Sequence, residues 1–431
     1  MSRPVVVVGD IHLGRRPSGL DEVLGLLGIQ PRDLSAAAAW ESAVEWAIQR
    51  NARAVVLAGD VVESARDRFE AFAHLHRGAA ALAGAHIPVY AVAGNHDVTA
   101  LPLLAERIPK VCLVGAGGRW ELVPLPGGEG EPPVDLLGWS FPSEIVREDP
   151  TRDPGFRAAL GGRRPGTLLV GVVHGDLDAP GSPYAPLSRS ALEAAPADAW
   201  LLGHIHRPDP LGGERPLGYL GSLSALDPGE TGPRGLWELL PDRGIRLHHV
   251  PLSPVRFENL ALRVDHLEAG TPDALLAALE AEIRERLAPE LEASRELRLL
   301  VVRLRLEGRT AARKAVREVA ELDPRERVFP GGAVPLFLAR VEDRTRPPVD
   351  LEELAASSSP AGTLARILLS LDDGIPPEME EKALRALAPW RDTRWVQAGI
   401  PDPPPLDDLL RAAAWKALEE LLDQRTGEPS P

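Results

Sequence analysis

The first 250 residues of the sequence predict an α/β fold, and three observations carry this prediction. Short apolar runs alternate with helical segments, beginning with the run from Val5 to Val8 and continuing with the run from Ala54 to Ala58. The runs are apolar throughout, which is typical of parallel strands buried on both faces. Polar loops rich in glycine and proline separate them.

The predicted elements follow one another in order from the first strand. A helix is predicted from Ser35 to Gln49 with Ser35 as its N-cap, a second helix from Ala65 to Ala83, and a third strand from Ile87. Later strands are predicted near residues 111–115, 134–140, 167–173, 198–202, 217–221, 235–240 and 245–250. Residues 126–133 and 150–166 are predicted to be loops.

The pattern changes near residue 250. Two helical segments alternate with two strand-like segments, RELRLLVVRLRLEG and VPLFLARVEDRT, which predicts a small α+β domain over residues 253–346. Residues 347–431 contain short amphipathic helices separated by proline-rich links, and their end, QRTGEPSP, is predicted to be disordered. The sequence therefore predicts three parts, with boundaries at 1–252, 253–346 and 347–431.

Composition narrows the class of protein. The chain has 431 residues, of which 44% are hydrophobic and 26% charged, as expected of a globular protein with two or three domains. No apolar run approaches the roughly 20 residues of a membrane helix, and the chain opens with a strand-like PVVVVGD, so a cytoplasmic protein without membrane association is expected. The formal charge of −15 argues against a free-standing nucleic-acid binder. Cys112, the single cysteine, is expected to be a small buried hydrophobic residue.

Five of the predicted strands end in side chains that bind metal ions. These side chains are Asp10 and His12 after VVVVG, Asp60 after VVLAG, Asn95, His96 and Asp97 after VYAVAG, His174 and Asp176 after LLVGVV, and His204 and His206 after WLLG. Because ligands of open α/β sheets gather beyond the carboxyl ends of the strands, the five ends are expected to meet. Glycines at positions 9, 59, 94 and 203 are expected to let the backbone turn tightly there.

The types of these side chains indicate their chemistry. Oxygen and imidazole ligands without thiolates favour Mn²⁺, Fe or Zn²⁺ over a structural zinc held by cysteines. Two divalent cations about 3.5–4 Å apart hold a phosphate, activate water and stabilise the leaving oxygen. The pair His204 and His206 alone is a weak signal, but five ordered strand ends are hard to produce by chance. The sequence therefore favours a two-metal hydrolase of phosphoesters.

The order of the motifs GDIH, GD, GNHD, VVHGD and GHIH resembles that of the calcineurin-like metallophosphoesterases over roughly residues 1–250. More narrowly, GDIHLG, GHIHRP and GYLGSLSALDPGETGPRGLWEL are similar to the SbcD/Mre-type DNA double-strand-break nucleases, and closer to the YhaO-like bacterial branch than to SbcD. The resemblance implies a four-layer α/β/β/α sandwich. It also implies a capping domain that restricts which DNA reaches the site.

The same resemblance implies cofactors and partners. Two Mn²⁺ ions would occupy the site, with Fe, Zn²⁺ or Mg²⁺ able to replace them. The C-terminal tail would bind the coiled-coil base of an SMC-like ATPase of the SbcC or YhaN type, and the chain would form a homodimer on DNA. A helical hairpin that folds on its own capping domain is the alternative for the tail.

The resemblance also implies a role for each motif residue. Asp60 would bridge the two ions. One ion would also be held by Asp10, His12 and His206, and the other by Asn95, His174 and His204. His96 would contact the scissile phosphate and assist the leaving group, and Asp97 would orient the His96 ring.

Three residues near the motifs bear on the substrate. Arg15 and Arg16 follow the first motif closely enough to contact the phosphate backbone of DNA, although solvated loop arginines are the common case. Glu63 departs from the residue usual at its place in the family, which puts the handling of the substrate in question. A phosphodiesterase for small molecules or a protein phosphatase, and a non-catalytic scaffold, remain alternatives to a DNA exonuclease and endonuclease. An inactive relative would be expected to lose ligands, and all seven ligand positions are filled here.

Overall fold

The computed structural model of the chain describes residues 2–64, 66–267, 270–388 and 405–426. Its contacts divide the chain into two compact units that interleave along the sequence. The first unit comprises Met1–Leu260, Glu280–Arg303 and Asp323–Arg340, and the second comprises Ala261–Leu279, Leu304–Leu322 and Val341–Pro431. The division of the chain into parts at 252 and 346 stays a prediction from sequence patterns.

Two sheets form the centre of the first unit. The six-stranded sheet has the order β11-β10-β1-β2-β3-β4 and consists of Val5–Val8 (β1), Ala54–Ala58 (β2), Val89–Val92 (β3), Val111–Leu113 (β4), Gly235–Pro241 (β10) and Ile245–Pro251 (β11). The five-stranded sheet has the order β5-β6-β7-β8-β9 and consists of Glu121–Pro124 (β5), Val134–Trp139 (β6), Leu168–His174 (β7), Ala199–Gly203 (β8) and Leu217–Tyr219 (β9). Strands β1 to β4 pair in parallel, as do β6 to β9, so each sheet gathers several carboxyl ends at one edge.

Helices cover the outer faces of both sheets. They are Ala36–Gln49 (α2), Arg68–Gly84 (α3), Leu101–Arg107 (α4), Pro154–Gly161 (α5) and Arg189–Ala194 (α6). The short helix Asp21–Leu24 (α1) packs instead in another core, with Val255, Phe257 and Leu299. The predicted N-cap of α2 is confirmed, because the Ser35 hydroxyl accepts a hydrogen bond from the Ala38 amide at 3.3 Å. The sequence does not predict α1, α4, α6 and β5, which are four to seven residues long and too short to show a period.

The helices and sheets stack in four layers, and an apolar core lies between each pair of adjacent layers. Since successive side chains of a strand point to opposite faces, Val6 and Val8 of β1 pack with α2 and α3, whereas Val5 and Val7 pack against the second sheet. The outer face of the second sheet packs against Phe156 of α5. This α/β/β/α arrangement confirms the predicted fold class.

Two predictions for this unit are wrong. Residues 150–166 contain a 3-10 helix and the helix α5 instead of a loop. The Asp153 carboxylate accepts a hydrogen bond from the Gly155 amide at 2.6 Å and Pro154 follows it, which is a helix start that resembles a turn in sequence. Cys112 is exposed and not buried, because β4 is the edge strand of its sheet and is covered on fewer sides.

A further sheet follows the two-sheet region in sequence. Its order is β12-β13-β15-β14, and it consists of Val255–Arg263 (β12), Leu299–Arg309 (β13), Val328–Phe329 (β14) and Leu336–Arg346 (β15). The helices Pro272–Arg286 (α7), Ala288–Ala293 (α8) and Arg313–Glu321 (α9) connect the three long strands. Alternating helices and strands were predicted here from the sequence.

The chain ends in helices, as predicted. They are Leu351–Ala355 (α10), Pro360–Ser370 (α11), Pro377–Leu387 (α12) and Leu406–Thr426 (α13). The apolar faces of α11 and α13 form a small core that includes Leu368, Trp415 and Leu418. Residues 424–426 of the predicted disordered end are helical, and residues 427–431 lie outside the described residues. None of the helices described in 2–64, 66–267, 270–388 and 405–426 combines the length and apolar character needed to cross a membrane.

Candidate dinuclear metal centre

The loops that leave the two sheets meet in the first unit and bring the predicted side chains together. Loops after β1, β2 and β3 come from one sheet, and the ends of β7 and β8 come from the other. Two contacts join the sheets: His174 Nε2 lies 3.3 Å from Asp60 Oδ2, and the His204 amide donates to Asp10 Oδ1 at 2.9 Å. The seven predicted ligands therefore share one region, and their roles as ligands stay predictions.

Asp10, His12 and His206 form the first group of side chains. Their ligand atoms lie within 4.8 Å of one another, and the Nε2 atoms of His12 and His206 are 3.0 Å apart. Asp10 is fully buried, and its Oδ2 atom has no hydrogen-bond partner among the described residues. A buried carboxylate oxygen without a donor is costly, so this oxygen fits a cation.

Asp60, His174 and His204 form the second group, again within 4.8 Å. The side-chain oxygen of Asn95 lies 3.2 Å from His174 Nε2 and extends this group. Asp60 lies between the groups, since its Oδ2 atom is 3.3 Å from His174 Nε2 and 4.0 Å from His12 Nε2. A carboxylate in this position suits a ligand shared by two ions.

The buried carboxylates around the second group favour a positive charge at this position, on His174 or on a bound cation. Burial by itself raises the pKa of the Asp60 carboxyl, but the imidazoles of His174, His12 and His96 outweigh it and hold that pKa well below its usual value. Burial opposes the charge on His174, yet Asp60 and Asp10 together raise the pKa of His174 to about 9. The buried carboxylates thus attract either a proton on His174 or a divalent cation.

Backbone strain is concentrated in the same loops. His12, Asp60 and His204 have φ values of 54°, 45° and 105°, in the left-handed region that side chains other than glycine seldom adopt. Such strain persists only where the surrounding structure holds it, and it clusters at functional sites.

The predicted role of the four glycines needs correction. Of these four only Gly59 has a positive φ, 93°. At Gly94 a Cβ would lie 2.2 Å from Asp60 Oδ1, and at Gly203 it would lie 2.7 Å from His174 Nδ1. These two glycines therefore allow the ligand side chains to approach the backbone closely and do not serve a tight turn.

His96 is exposed at the edge of the site. Its Nδ1 atom lies 2.8 Å from the Glu63 carbonyl oxygen and donates to it, which leaves Nε2 as the ring nitrogen that can exchange a proton. The His96 amide donates to Asp60 Oδ1 at 3.1 Å, so the backbone of this residue is tied to the candidate bridging carboxylate.

Asp97 does not orient the His96 ring, contrary to the prediction. Its carboxylate accepts hydrogen bonds from three backbone amides, those of Val61 at 3.1 Å, Val62 at 2.9 Å and Gly94 at 3.1 Å. Burial, and then the charge of Asp60, raise the pKa of the Asp97 carboxyl. The three amides stabilise its charge, and they fix the loop that carries Asp60 against the loop that carries Asn95.

Three further carboxylates contact the histidines. Asp176 was among the strand-end side chains expected to meet, whereas Glu230 and Glu63 were not predicted as part of the site. Glu230 Oε1 lies 2.5 Å from His206 Nδ1, and Asp176 Oδ1 lies 3.3 Å from His204 Nε2. Glu63 Oε2 is 2.7 Å from His12 Nδ1, but the angle is too bent for a hydrogen bond. Glu63, His12 and His96 form a third group, whose potential ligand atoms lie within 4.8 Å of one another. A carboxylate against the second nitrogen of a ligating histidine fixes its tautomer and direction.

The sequence offered unequal signals for these carboxylates. Asp176 and Glu63 lie in or beside the motifs and were noticed, the first as a strand-end side chain and the second as a departure from the family. Glu230 lies 24 residues after His206 in a glycine-rich loop, and no spacing rule connects the two.

The two predicted DNA-contacting arginines differ in their surroundings. Arg15 donates to Asp227 at 2.7 Å and lies 3.9 Å from Glu63 Oε2, so carboxylates already neutralise it near the site. Arg16 lines a cavity of about 420 Å³ together with acidic residues such as Glu41 and Glu70. None of the residues that line this cavity is a predicted metal ligand.

Comparison with known families matches residues 3–208 to the model of the calcineurin-like phosphoesterases. The match extends over just under half of the chain, so residues 3–208 are similar to this family. It includes every predicted metal ligand, the last of them being His206. Calcineurin-like phosphoesterases bind a dinuclear metal centre, and the two groups around Asp60 supply ligands of the kind such a centre needs.

Individual relatives of the phosphoesterase region are distant. The uncharacterized metallophosphoesterase YhaO of Bacillus subtilis (strain 168) is 24% identical over 233 residues, which are 50% of this chain and 50% of that protein. The chain thus spans about half the length of this curated relative. The structure of TT1561 of Thermus thermophilus is 15% identical with a TM-score of 0.36, over 58% of this chain and 99% of that chain. A dimetal phosphatase from Danio rerio is 11% identical with a TM-score of 0.36, over 57% of this chain and 96% of that chain.

Proposed function

We propose that the chain is a two-metal DNA exonuclease and endonuclease subunit that hydrolyses phosphodiester bonds at DNA ends. Hydrolysis of phosphoesters is the chemistry of the family whose model residues 3–208 match. The observation that carries the catalytic part is the position of Asp60 between two groups of buried ligands, beside an Asp10 oxygen without a donor. DNA as the substrate is supported by the resemblance of the GDIHLG and GHIHRP segments to the SbcD/Mre-type nucleases.

The donor set fits two divalent cations, Mn²⁺ above all, with Fe, Zn²⁺ or Mg²⁺ as substitutes. Asp10, His12 and His206 would hold one of them and Asn95, His174 and His204 the other, with Asp60 shared. When bound, the ions supply Lewis-acid activation of water and of the phosphate group. Glu230 and Glu63 would keep the rings of His206 and His12 in the direction that binding needs.

His96 is the side chain proposed to move a proton. Its Nδ1 proton is held by the Glu63 carbonyl oxygen, so Nε2 is the atom that would give a proton to the leaving oxygen. The hydrogen bond from the His96 amide to Asp60 Oδ1 ties the backbone of His96 to the candidate bridging carboxylate. Water would be the attacking group, and the products would be a phosphate and a free hydroxyl.

Activity on DNA is the direct test. With Mn²⁺ present, the purified chain is expected to cut linear duplex and hairpin DNA, and both Asp60→Asn and His96→Gln are expected to lower the rate at least about 100-fold. Exposed residues outside the site supply matched controls, namely Asp373→Asn and His76→Gln, which should cut as the unchanged chain does. Retained activity in both site variants would overturn the assignment. Turnover of a cyclic nucleotide or a phosphopeptide without any cutting of DNA would favour the alternative phosphodiesterase or phosphatase.

The partners form a second part of the proposal. An SMC-like coiled-coil ATPase of the SbcC or YhaN type would bind the C-terminal helices, and the chain would act as a homodimer. Helix α13 buries Trp415 and Leu418 against α11, whereas Ala413 on the same helix is exposed. Ala413→Arg is expected to weaken binding of a purified coiled-coil ATPase of the SbcC or YhaN type. Ala80→Arg on the exposed side of α3, outside the C-terminal helices, is the control, and equal binding by both variants would contradict this site.

A further inference from the structure

The second unit carries a cavity lined by arginines. Its volume is about 540 Å³, and five guanidinium groups line it together with Glu307 and Gly308. The arginines are Arg263 of β12, Arg305 and Arg309 of β13, and Arg344 and Arg346 of β15. This volume is in the range of sites for small molecules, roughly 300–1,000 Å³. All seven lining residues belong to the second unit, whereas every predicted metal ligand belongs to the first.

The alternation of the strands places these side chains on one face. In β13, Arg305 and Arg309 are exposed while Leu306 between them is buried, and in β15 the exposed Arg344 and Arg346 flank the buried Thr345. The Thr310 amide donates to the Arg346 carbonyl oxygen at 2.9 Å. Arg309 and Arg346 therefore lie beside each other on neighbouring strands.

Three of the five arginines are paired with carboxylates. Arg263 donates to both oxygens of Asp265, at 3.0 and 3.1 Å. Arg344 lies 2.6 Å from Glu342, and Arg305 is 3.7 Å from the same glutamate. Arg305 is also 3.7 Å from Glu307. Five arginines against three carboxylates leave the cavity with two positive charges in excess.

The excess lies with Arg309 and Arg346. Arg309 Nη1 donates to the Val349 carbonyl oxygen at 3.3 Å, and the Arg346 guanidinium lies 4.7 Å from the centre of the Trp415 ring. Within the described part of the chain, neither forms an ion pair. The carbonyl and the aromatic ring hold both guanidinium groups in place without neutralising them, which lowers the entropy cost of binding an anion.

We propose that this cavity binds a small molecule with two or more linked phosphate groups. Adjacent guanidinium groups match phosphate oxygens in a bidentate manner, and two free positive charges match two phosphates. A compact ligand fits better than a nucleic-acid backbone, because Asp265, Glu307 and Glu342 pair with other arginines of the cavity and would repel a longer polyanion. The formal charge of −15 on the whole chain also opposes an extended polyanion beyond the cavity.

Calorimetric titration of the full-length chain tests this proposal. The probes are pyrophosphate and ATP, with inorganic phosphate for comparison, all in EDTA so that divalent metals do not supply a second site. Pyrophosphate and ATP are expected to bind at least tenfold more tightly than inorganic phosphate. Arg309→Gln is expected to weaken both by about tenfold or more, which corresponds to about 1.4 kcal/mol.

Controls separate the cavity from general charge effects. Arg385→Gln removes the same charge from the exposed surface of α12 and should leave binding unchanged. Arg346→Gln is a second test, with its melting temperature measured because this variant also loses the contact with Trp415. Hydrolysis of bis-p-nitrophenyl phosphate with Mn²⁺ should be the same in Arg309→Gln and the unchanged chain, since this site is distinct from the metal centre.

Three outcomes would overturn the proposal. The first is that neither pyrophosphate nor ATP binds the unchanged chain, and the second is that Arg385→Gln weakens binding as much as Arg309→Gln. The third is that a single-stranded oligonucleotide binds and this binding depends on Arg309, whereas pyrophosphate does not bind. That result would assign the arginine surface to a nucleic acid. Failure to cut DNA would leave this proposal standing, because it does not rest on the metal centre.

Discussion

Single side chains that hydrogen-bond to the candidate metal ligands hold those ligands in position. Glu230 lies 2.5 Å from His206 Nδ1, and its other oxygen accepts the Leu226 amide at 2.6 Å. Burial raises the pKa of the Glu230 carboxyl, but the bond to His206 outweighs it and the pKa is lowered. A charged carboxylate therefore holds this ring from behind and leaves Nε2 toward His12.

Glu230→Gln is expected to weaken the binding of Mn²⁺ by roughly 10–100-fold, because loss of the charge loosens the His206 ring and lowers its basicity. Titration of Mn²⁺ followed by calorimetry measures this change. Glu129→Gln, on an exposed loop, is the matched control. Equal affinity of the two variants would show that Glu230 has no part in holding the ligand.

The site also requires a glycine at position 94, because a side chain there would collide with Asp60. At Gly94 a Cβ would lie 2.2 Å from Asp60 Oδ1, so Gly94→Ala is expected to displace the shared carboxylate and lower phosphodiesterase activity at least tenfold. At Gly84 a Cβ would meet nothing within 4 Å, so Gly84→Ala should change stability by no more than about 1 kcal/mol and leave activity intact. Activity assays and thermal melts of both variants check this pair, and an active Gly94→Ala would contradict the close approach.

At the scale of secondary structure, the loops between strands and helices hold the site in place. The first residue of helix α2, Ala36, donates its amide to the Arg15 carbonyl oxygen at 3.2 Å, and Ser35 fixes the start of the helix. The Ser35 hydroxyl accepts from the Ala38 amide at 3.3 Å and donates to the Arg32 carbonyl oxygen at 2.7 Å. The cap thus joins the helix to the preceding 3-10 turn.

Ser35→Ala is expected to lower the free energy of unfolding by about 1 kcal/mol, since it leaves a helix amide without its acceptor. Ser42→Ala, in the middle of the same helix, should have a smaller effect, because its hydroxyl makes only a 3.4 Å contact with Glu296. Urea denaturation of both variants gives the two values. A larger loss in Ser42→Ala would refute the capping role.

At the scale of the whole molecule, a bound metal ion and the protons of the site compete. In the metal-free protein the pKa of His174 is about 9, above its usual 6.5. A histidine with a raised pKa in the folded state stabilises that state below pH 6.5, and this stability is lost as the pH rises through 9. Metal binding needs the neutral ring, so its effect has the opposite sign.

The stabilisation of the protein by Mn²⁺ is therefore expected to grow between about pH 6.5 and 8.5. At a Mn²⁺ concentration of about 100 times the dissociation constant, the gain is about 2.7 kcal/mol, and the melting temperature rises accordingly. Differential scanning fluorimetry with Mn²⁺ and with EDTA at each pH measures it. His76→Gln should show the same pH dependence, and an effect of Mn²⁺ that shrinks with rising pH would contradict the competition.

Much of the candidate site was predictable because its residues are adjacent in sequence to strands. Asp10, Asp60 and His174 each end a continuous apolar run, and the carboxyl ends of parallel strands share an edge, so local patterns were enough to place them. The division of the ligands into two groups around Asp60 came from the family resemblance and stays a prediction. In the structure, the ligand atoms of Asp10, His12 and His206 lie within 4.8 Å of one another.

Other parts were beyond sequence reasoning. The orientation of the His96 ring depends on a carbonyl oxygen, that of Glu63, and every residue carries such an oxygen. For the same reason Asp97 was assigned the wrong partner, since its three amide donors belong to the loops that carry Asp60 and Asn95. Every residue carries the same backbone groups, so the sequence does not indicate which of them will bond to a given side chain. Such hydrogen bonds follow only from the fold.

The sequence by itself determined the α/β class, the strand ends and the side chains that meet at the candidate metal centre, because these depend on residue type and on periods of a few residues. The tertiary structure decided which carboxylate holds which histidine, as with Glu230 and His206, and it brought Arg309 beside Arg346. The physical reason is that both arrangements join segments distant in the chain. Such contacts are set by how strands pair and sheets pack, and residue spacing does not encode them.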